Sequence, residues 1–214
     1  MNISKKLTPY NYSTKSNKQN LYLVIHYVGA VSTAKNNVDY YAREKLNASA
    51  HYFVDETSIW QSVEDNNVAW HCGTSGAYKH PKCRNDNSIG IEMCVKKDSS
   101  GKWYFEDATV ENTIELVKYL MGKYNIPIDR VIRHHDVTGK NCPAPYVENP
   151  DEWTKFKSRL VVKELVTPND IVWELGHRGI VTDTEGMLDE MLENPNGRLY
   201  WLARKMLHYI KCKE

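Results

Sequence analysis

The stretch Arg133-His134-His135-Asp136-Val137-Thr138-Gly139-Lys140-Asn141-Cys142-Pro143 brings histidine, lysine and cysteine side chains within a few residues of one another. Its glycine and proline argue for a loop rather than a helix. Imidazole and thiolate together suit Zn²⁺ better than Mg²⁺ or Ca²⁺, which take oxygen ligands. A structural zinc site takes four protein ligands, usually with paired Cys or His at short spacing, and no C-x-x-C occurs in this chain. One His and one Cys from this loop, joined by one distant ligand, would leave a fourth position open, which is the pattern of a catalytic zinc.

The distant ligand has to be sought among the other histidines, 26, 51, 71, 80, 177 and 208. His26 is the best candidate because it closes an apolar run, where the end of a sheet would hold its side chain rigidly. His51 lies in mid-strand and is expected to be structural. A second group stands out by its neighbours. Glu92 follows Ile89 and Ile91 and precedes Met93, and a carboxylate on such a strand is costly to bury unless it is paired or used.

These residues need elements to position them. Residues 21–25 form a β-rich apolar run ending at His26, and 88–95 read as another buried strand. Residues 50–55 and 59–63 read as strands around a turn, and 130–133 as a short strand leading into the loop. Helical spacing covers 33–45 and 109–124; in the latter Val110, Ile114, Val117, Leu120 and Met121 share a face. Asn149 and Pro150 read as N-cap and first residue of a helix to 160. Residues 64–86, rich in Asn, Gly, His, Lys and Pro, read as a long surface loop. Alternating strands and helices predict an α/β domain over 1–160, with a mixed central β-sheet flanked by helices. Residues 161–214 are expected to form a small all-helical module, with helices at 168–176, 183–193 and 197–211. Its Trp173, Tyr200 and Trp201 suit glycan binding, its own core or a homodimer contact.

A net charge of +1 gives no basic field for nucleic acid. No apolar run is long enough to span a membrane, so no membrane insertion is expected. The polar N-terminal segment lacks the apolar core of a signal peptide, which points to synthesis in the cytoplasm. Five cysteines, an odd number, argue against a disulfide framework. Cys94 reads as a core thiol, and Cys72 and Cys83 are close enough in sequence to approach one another.

Five blocks in order carry a family resemblance: Val24-Ile25-His26-Tyr27, Ala50-His51-Tyr52-Phe53-Val54-Asp55, Ala69-Trp70-His71, Asn87-Ser88-Ile89-Gly90-Ile91-Glu92, and His134 to Pro143. Over about residues 20–160 the chain resembles the zinc-dependent N-acetylmuramoyl-L-alanine amidases of the phage-lysozyme and peptidoglycan-recognition type. The resemblance implies His26, His134 and Cys142 as Zn²⁺ ligands; the family's spacing of eight between His and Cys selects His134 over His135. It implies Lys140 as the catalytic cation. Some members carry a catalytic tyrosine where this chain has Ala50; those with a glutamate in the IGIE strand use that carboxylate, here Glu92. Trp70, His71 and His135 are expected at the substrate groove, the alternative for each being a packed or solvent-edge residue. Asp136 is expected either to support a ligand histidine or to form a turn.

The function implied is hydrolysis of the amide between N-acetylmuramic acid and L-alanine in bacterial peptidoglycan, as an endolysin or autolysin acting on the wall after release. The alternatives are a non-catalytic peptidoglycan binder, which would be marked by loss of the zinc cysteine, and a cytoplasmic amidase that recycles muropeptides.

Overall fold

The computed structural model describes residues 1–73, 76–161, 168–177, 179–194, 197, 199–200 and 202–203. The chain divides into two compact units, Met1–Val161 and Val162–Glu214.

The first unit runs β1 (Ile3–Lys5), β2 (Tyr12–Thr14), β3 (Tyr22–Tyr27), α1 (Ala34–Tyr41), β4 (Tyr52–Val54), β5 (Ile59–Gln61), β6 (Asn67–Ala69) and β7 (Ser88–Met93). It continues with β8 (Lys96–Lys97), β9 (Trp103–Tyr104), α2 (Asp107–Tyr124), β10 (Val131–Arg133), α3 (His134–Thr138), α4 (Ala144–Glu148) and α5 (Pro150–Arg159). Six strands make the mixed central sheet, in the order β1-β5-β4-β7-β3-β10. Strands β4, β7, β3 and β10 are mutually parallel, and β5 runs against β4. Two small antiparallel pairs, β2–β6 and β8–β9, lie outside it.

Period-two alternation on β3 and β7 sorts side chains to two faces. Leu23 and Ile25 join Ile89, Ile91 and Met93 in the main core, against Leu116, Val117 and Leu120 of α2 and Phe156 of α5. Tyr22 and Val24 belong to a second cluster on the opposite face, with Cys72, Cys83 and Val137. By the same alternation His26, Ser88, Gly90 and Glu92 belong to that second face. The apolar neighbours of Glu92 in sequence are therefore not its neighbours in space.

Several expectations change. The 133–143 segment contains a short helix, α3, and Gly139 is its C-cap at φ +82 rather than a helix breaker. Residues 64–86 are not a surface loop throughout: they contain β6, and Cys72 and Cys83 are fully buried. The helix expected over 33–45 stops at Tyr41, because the Asn11 side chain takes up the Tyr41 and Glu44 carbonyls. Asn149 precedes α5, but its side chain makes no capping bond.

The second unit contains α6 (Pro168–His177) and α7 (Thr184–Glu193), with Asp183 capping α7 through Gly186 N. It has its own core of Ile171, Val172, Leu175, Met191 and Ala203. Trp173 is exposed and stacks on His177. Trp201 and most of the helix expected over 197–211 lie outside the described residues. No described helix is long and apolar enough to cross a membrane.

Candidate metal centre

His26 is the penultimate residue of the middle one of three adjacent parallel strands, with β7 on one side and β10 on the other. Ligand sites in open α/β sheets collect at the carboxyl ends of such strands. Glu92 is the register partner of His26 on β7. His134 is the first residue of α3, immediately after β10. Cys142 returns to the same place because the His135 backbone N–H donates to the Cys142 carbonyl at 2.7 Å.

His26 Nδ1 and His134 Nδ1 lie 3.1 Å apart, and Cys142 Sγ is 3.7 Å from His26 Nδ1. These atoms form a group that could hold a metal ion, with all three residues buried. Around a tetrahedral Zn²⁺, nitrogens at about 2.05 Å sit about 3.3 Å apart, and sulfur at about 2.3 Å sits about 3.6 Å from each. The observed spacings fit that geometry. Two imidazole nitrogens aimed at one another in a dry site also need a cation or a proton between them.

Burial dominates the electrostatics. It pushes His134 down to about 4 and holds His26 well below its usual value, with His134 adding to the effect on His26. It pushes the Cys142 thiol up to about 12, helped by the negative charge of Glu92. Cation binding would reverse the cost of the thiolate and release its proton. Glu92 is pushed up to about 8 by burial, partly opposed by the Lys140 ammonium. Its Oε2 is sealed from solvent and has no hydrogen-bond partner. This is a carboxyl able to exchange a proton near neutral pH.

The remaining candidate residues are placed as follows. Lys140 is exposed, and its charge acts on His26, His134, Cys142 and Glu92. The His135 ring bonds through Nδ1 to the Lys140 carbonyl at 3.0 Å, bracing the loop that carries Lys140 and Cys142. The Trp70 indole donates to Ser13 Oγ at 3.0 Å, tying β2 to the strand before His71. His71 is buried, with Nδ1 3.0 Å from His26 Nε2, so its ring packs behind His26. Asp136 accepts from the Arg133 backbone and guanidinium and so braces the start of α3; no hydrogen bond joins it to a described histidine. His51 is fully buried and accepts from Gly90 N at 3.0 Å. Cys72, Cys83, Cys94 and Cys142 are free thiols. Sequence reasoning did not find Ser88 or Gly90 as supports of the site, although both lie in the IGIE block it singled out.

The family described as N-acetylmuramoyl-L-alanine amidase matches residues 16–145, more than half of the chain. "N-acetylmuramoyl-L-alanine amidase BlyA" of Bacillus subtilis (strain 168) is 35% identical over 153 residues, which cover 65% of this chain and 41% of that protein. "N-acetylmuramoyl-L-alanine amidase CwlL" of Bacillus licheniformis is 34% identical over 148 residues, covering 64% and 40%. The chain thus spans about two fifths of the length of these curated relatives. Among solved structures, that of PlyL superposes with a TM-score of 0.61 at 27% identity, over 76% of this chain and 98% of that one. The catalytic domain of XlyA gives 0.61 at 26%, over 75% and 100%.

Proposed function

The chain belongs to the N-acetylmuramoyl-L-alanine amidase family, and from that membership we propose that it is a peptidoglycan hydrolase of the endolysin or autolysin type. It cleaves the amide joining the lactyl group of N-acetylmuramic acid to L-alanine, and it does so with zinc held by His26, His134 and Cys142. One observation carries this reading. Two imidazole nitrogens and a sulfur, from two segments far apart in sequence, converge at zinc-ligand spacing beside a carboxyl group whose Oε2 is sealed and unpartnered.

Zinc in this position supplies a Lewis acid that polarises the scissile carbonyl and makes water more acidic. The chain's own residues do the rest. Glu92, with its proton affinity raised by burial, takes a proton from the attacking water and passes it to the leaving amine. Lys140 brings a positive charge toward the oxygen on which negative charge develops. Gly139, at positive φ, turns the chain between α3 and Lys140. The presence of Cys142 speaks against a non-catalytic binder.

Digestion of purified peptidoglycan, with mass analysis of the products, tests the reading. The expected products carry new L-alanine amino termini without new reducing sugars, and a strong chelator stops their release until Zn²⁺ is returned. New reducing ends, or hydrolysis that survives chelation, would refute it.

A further inference from the structure

Behind His26 lies a chain of polar atoms whose proton positions can be deduced. The buried Ser88 hydroxyl donates to the Arg84 carbonyl at 2.6 Å, and a carbonyl has no proton to offer in return. Ser88 has only one proton, so it presents a lone pair to His71 Nε2, 3.2 Å away. His71 Nε2 therefore carries the ring's hydrogen. With the ring's hydrogen on Nε2, the lone pair lies at Nδ1, which is therefore the acceptor. His26 Nε2, at 3.0 Å, is the donor that faces it. A neutral His26 protonated at Nε2 has its lone pair at Nδ1, the atom that meets His134 Nδ1 and Cys142 Sγ.

We propose that His71, oriented by Ser88, is a positioning residue that fixes His26 in its Nε2–H tautomer and so presents Nδ1 to the metal. The inference rests on the zinc reading above and extends it to residues that touch neither metal nor substrate. Cys72 Sγ also lies 3.1 Å from His71 Nδ1. A thiol is a weaker donor than an imidazole N–H, and the Cys72 thiol has Cys83 and the Ser88 hydroxyl as further partners. His26, His71 and Cys72 could on proximity alone hold a second ion. The proton shared between His26 Nε2 and His71 Nδ1 makes them a support of the first site instead. Gly90 makes the arrangement possible: a Cβ there would lie 2.5 Å from His71 Cγ, so the ring can rest on β7 only where the side chain is missing.

The test measures tautomers and zinc affinity. In the metal-stripped protein, ¹⁵N-labelled histidine should show the His26 and His71 rings each protonated at Nε2. His71→Leu should weaken zinc binding, read by competition with a chromophoric chelator, by roughly 10–100-fold, and should give His26 a mixed tautomer signal. His71→Asn, whose amide oxygen can accept near the place of Nδ1, should recover most of both. Ser88→Ala, which leaves His71 in place, should also mix the His26 signal, and it decides the matter if His71→Leu does not fold. A His26 ring protonated at Nδ1 in the parent protein, or a folded His71→Leu that binds zinc undiminished, would overturn the inference. A parent protein that binds no zinc but keeps the tautomers would overturn the proposed function and leave only the tautomer assignment standing.

Discussion

Glu92 sits in an environment that disfavours its charged form. An unfolded chain ionises this carboxyl near 4.5, whereas burial in the fold holds the proton until about 8. Between those values this one group binds more protons in the folded state than in the unfolded one, so its contribution to stability falls as pH rises through the window. Buried His26 and His134, held below their usual 6.5, give the opposite slope in the lower part of this range, so the Glu92 contribution is read as the difference in urea stability between metal-stripped Glu92→Gln and the parent. The variant's relative gain should grow from about pH 4.5 to about pH 8 and level off above. A gain that is flat with pH would mean the carboxyl ionises normally. In the metal-loaded protein the same variant should retain its zinc and lose roughly 10²–10⁴-fold in turnover, the usual contribution of a general base. Near-normal turnover would remove Glu92 from the mechanism.

At the scale of elements, β7 has two demands placed on it. Its odd positions, Ile89, Ile91 and Met93, fill the main core, while its even positions include Gly90, beneath His71, and Glu92. Gly90→Ala forces a methyl group against the His71 ring and should destabilise the fold by about 1–3 kcal/mol, as overpacking does. Denaturant midpoints with an unchanged slope would measure the loss, and a midpoint equal to that of the parent would show that the ring is free to move. Strands β3 and β7 and helix α2 are legible in the sequence because each is a long apolar run or a long amphipathic face. The strands β1, β2, β6, β8 and β9 are not, since two or three residues are too short to carry a period, and β1, β2 and β6 take their pairing from distant partners. Helix α3 is hidden for a different reason: Gly139 reads as a breaker and serves as a cap. The candidate ligands and Glu92 stand out by residue type and order, but the support from Ser88 through His71 depends on contacts only the fold creates.

Over the whole molecule, the two units have separate cores, one drawn from residues 1–161 and the other from the helices after Pro168. A chain ending at Val161 should therefore keep its zinc and its thermal transition and should hydrolyse soluble muropeptides. Failure of that fragment to fold would show that the first unit depends on the second. Pelleting with purified wall, compared between fragment and full chain, assigns or denies a targeting role to the C-terminal unit. The sheet order has one more consequence. His26 enters the chain early, its neighbour strand β10 pairs at the sheet's edge, and His134 and Cys142 lie 108 and 116 residues further on. Pairings of such separation close late in folding. During synthesis the ribosome must release residue 142 before any complete ligand set exists. A nascent or prematurely terminated chain thus carries histidine and carboxylate but not the full candidate ligand set, which is complete only after the last strand of the sheet.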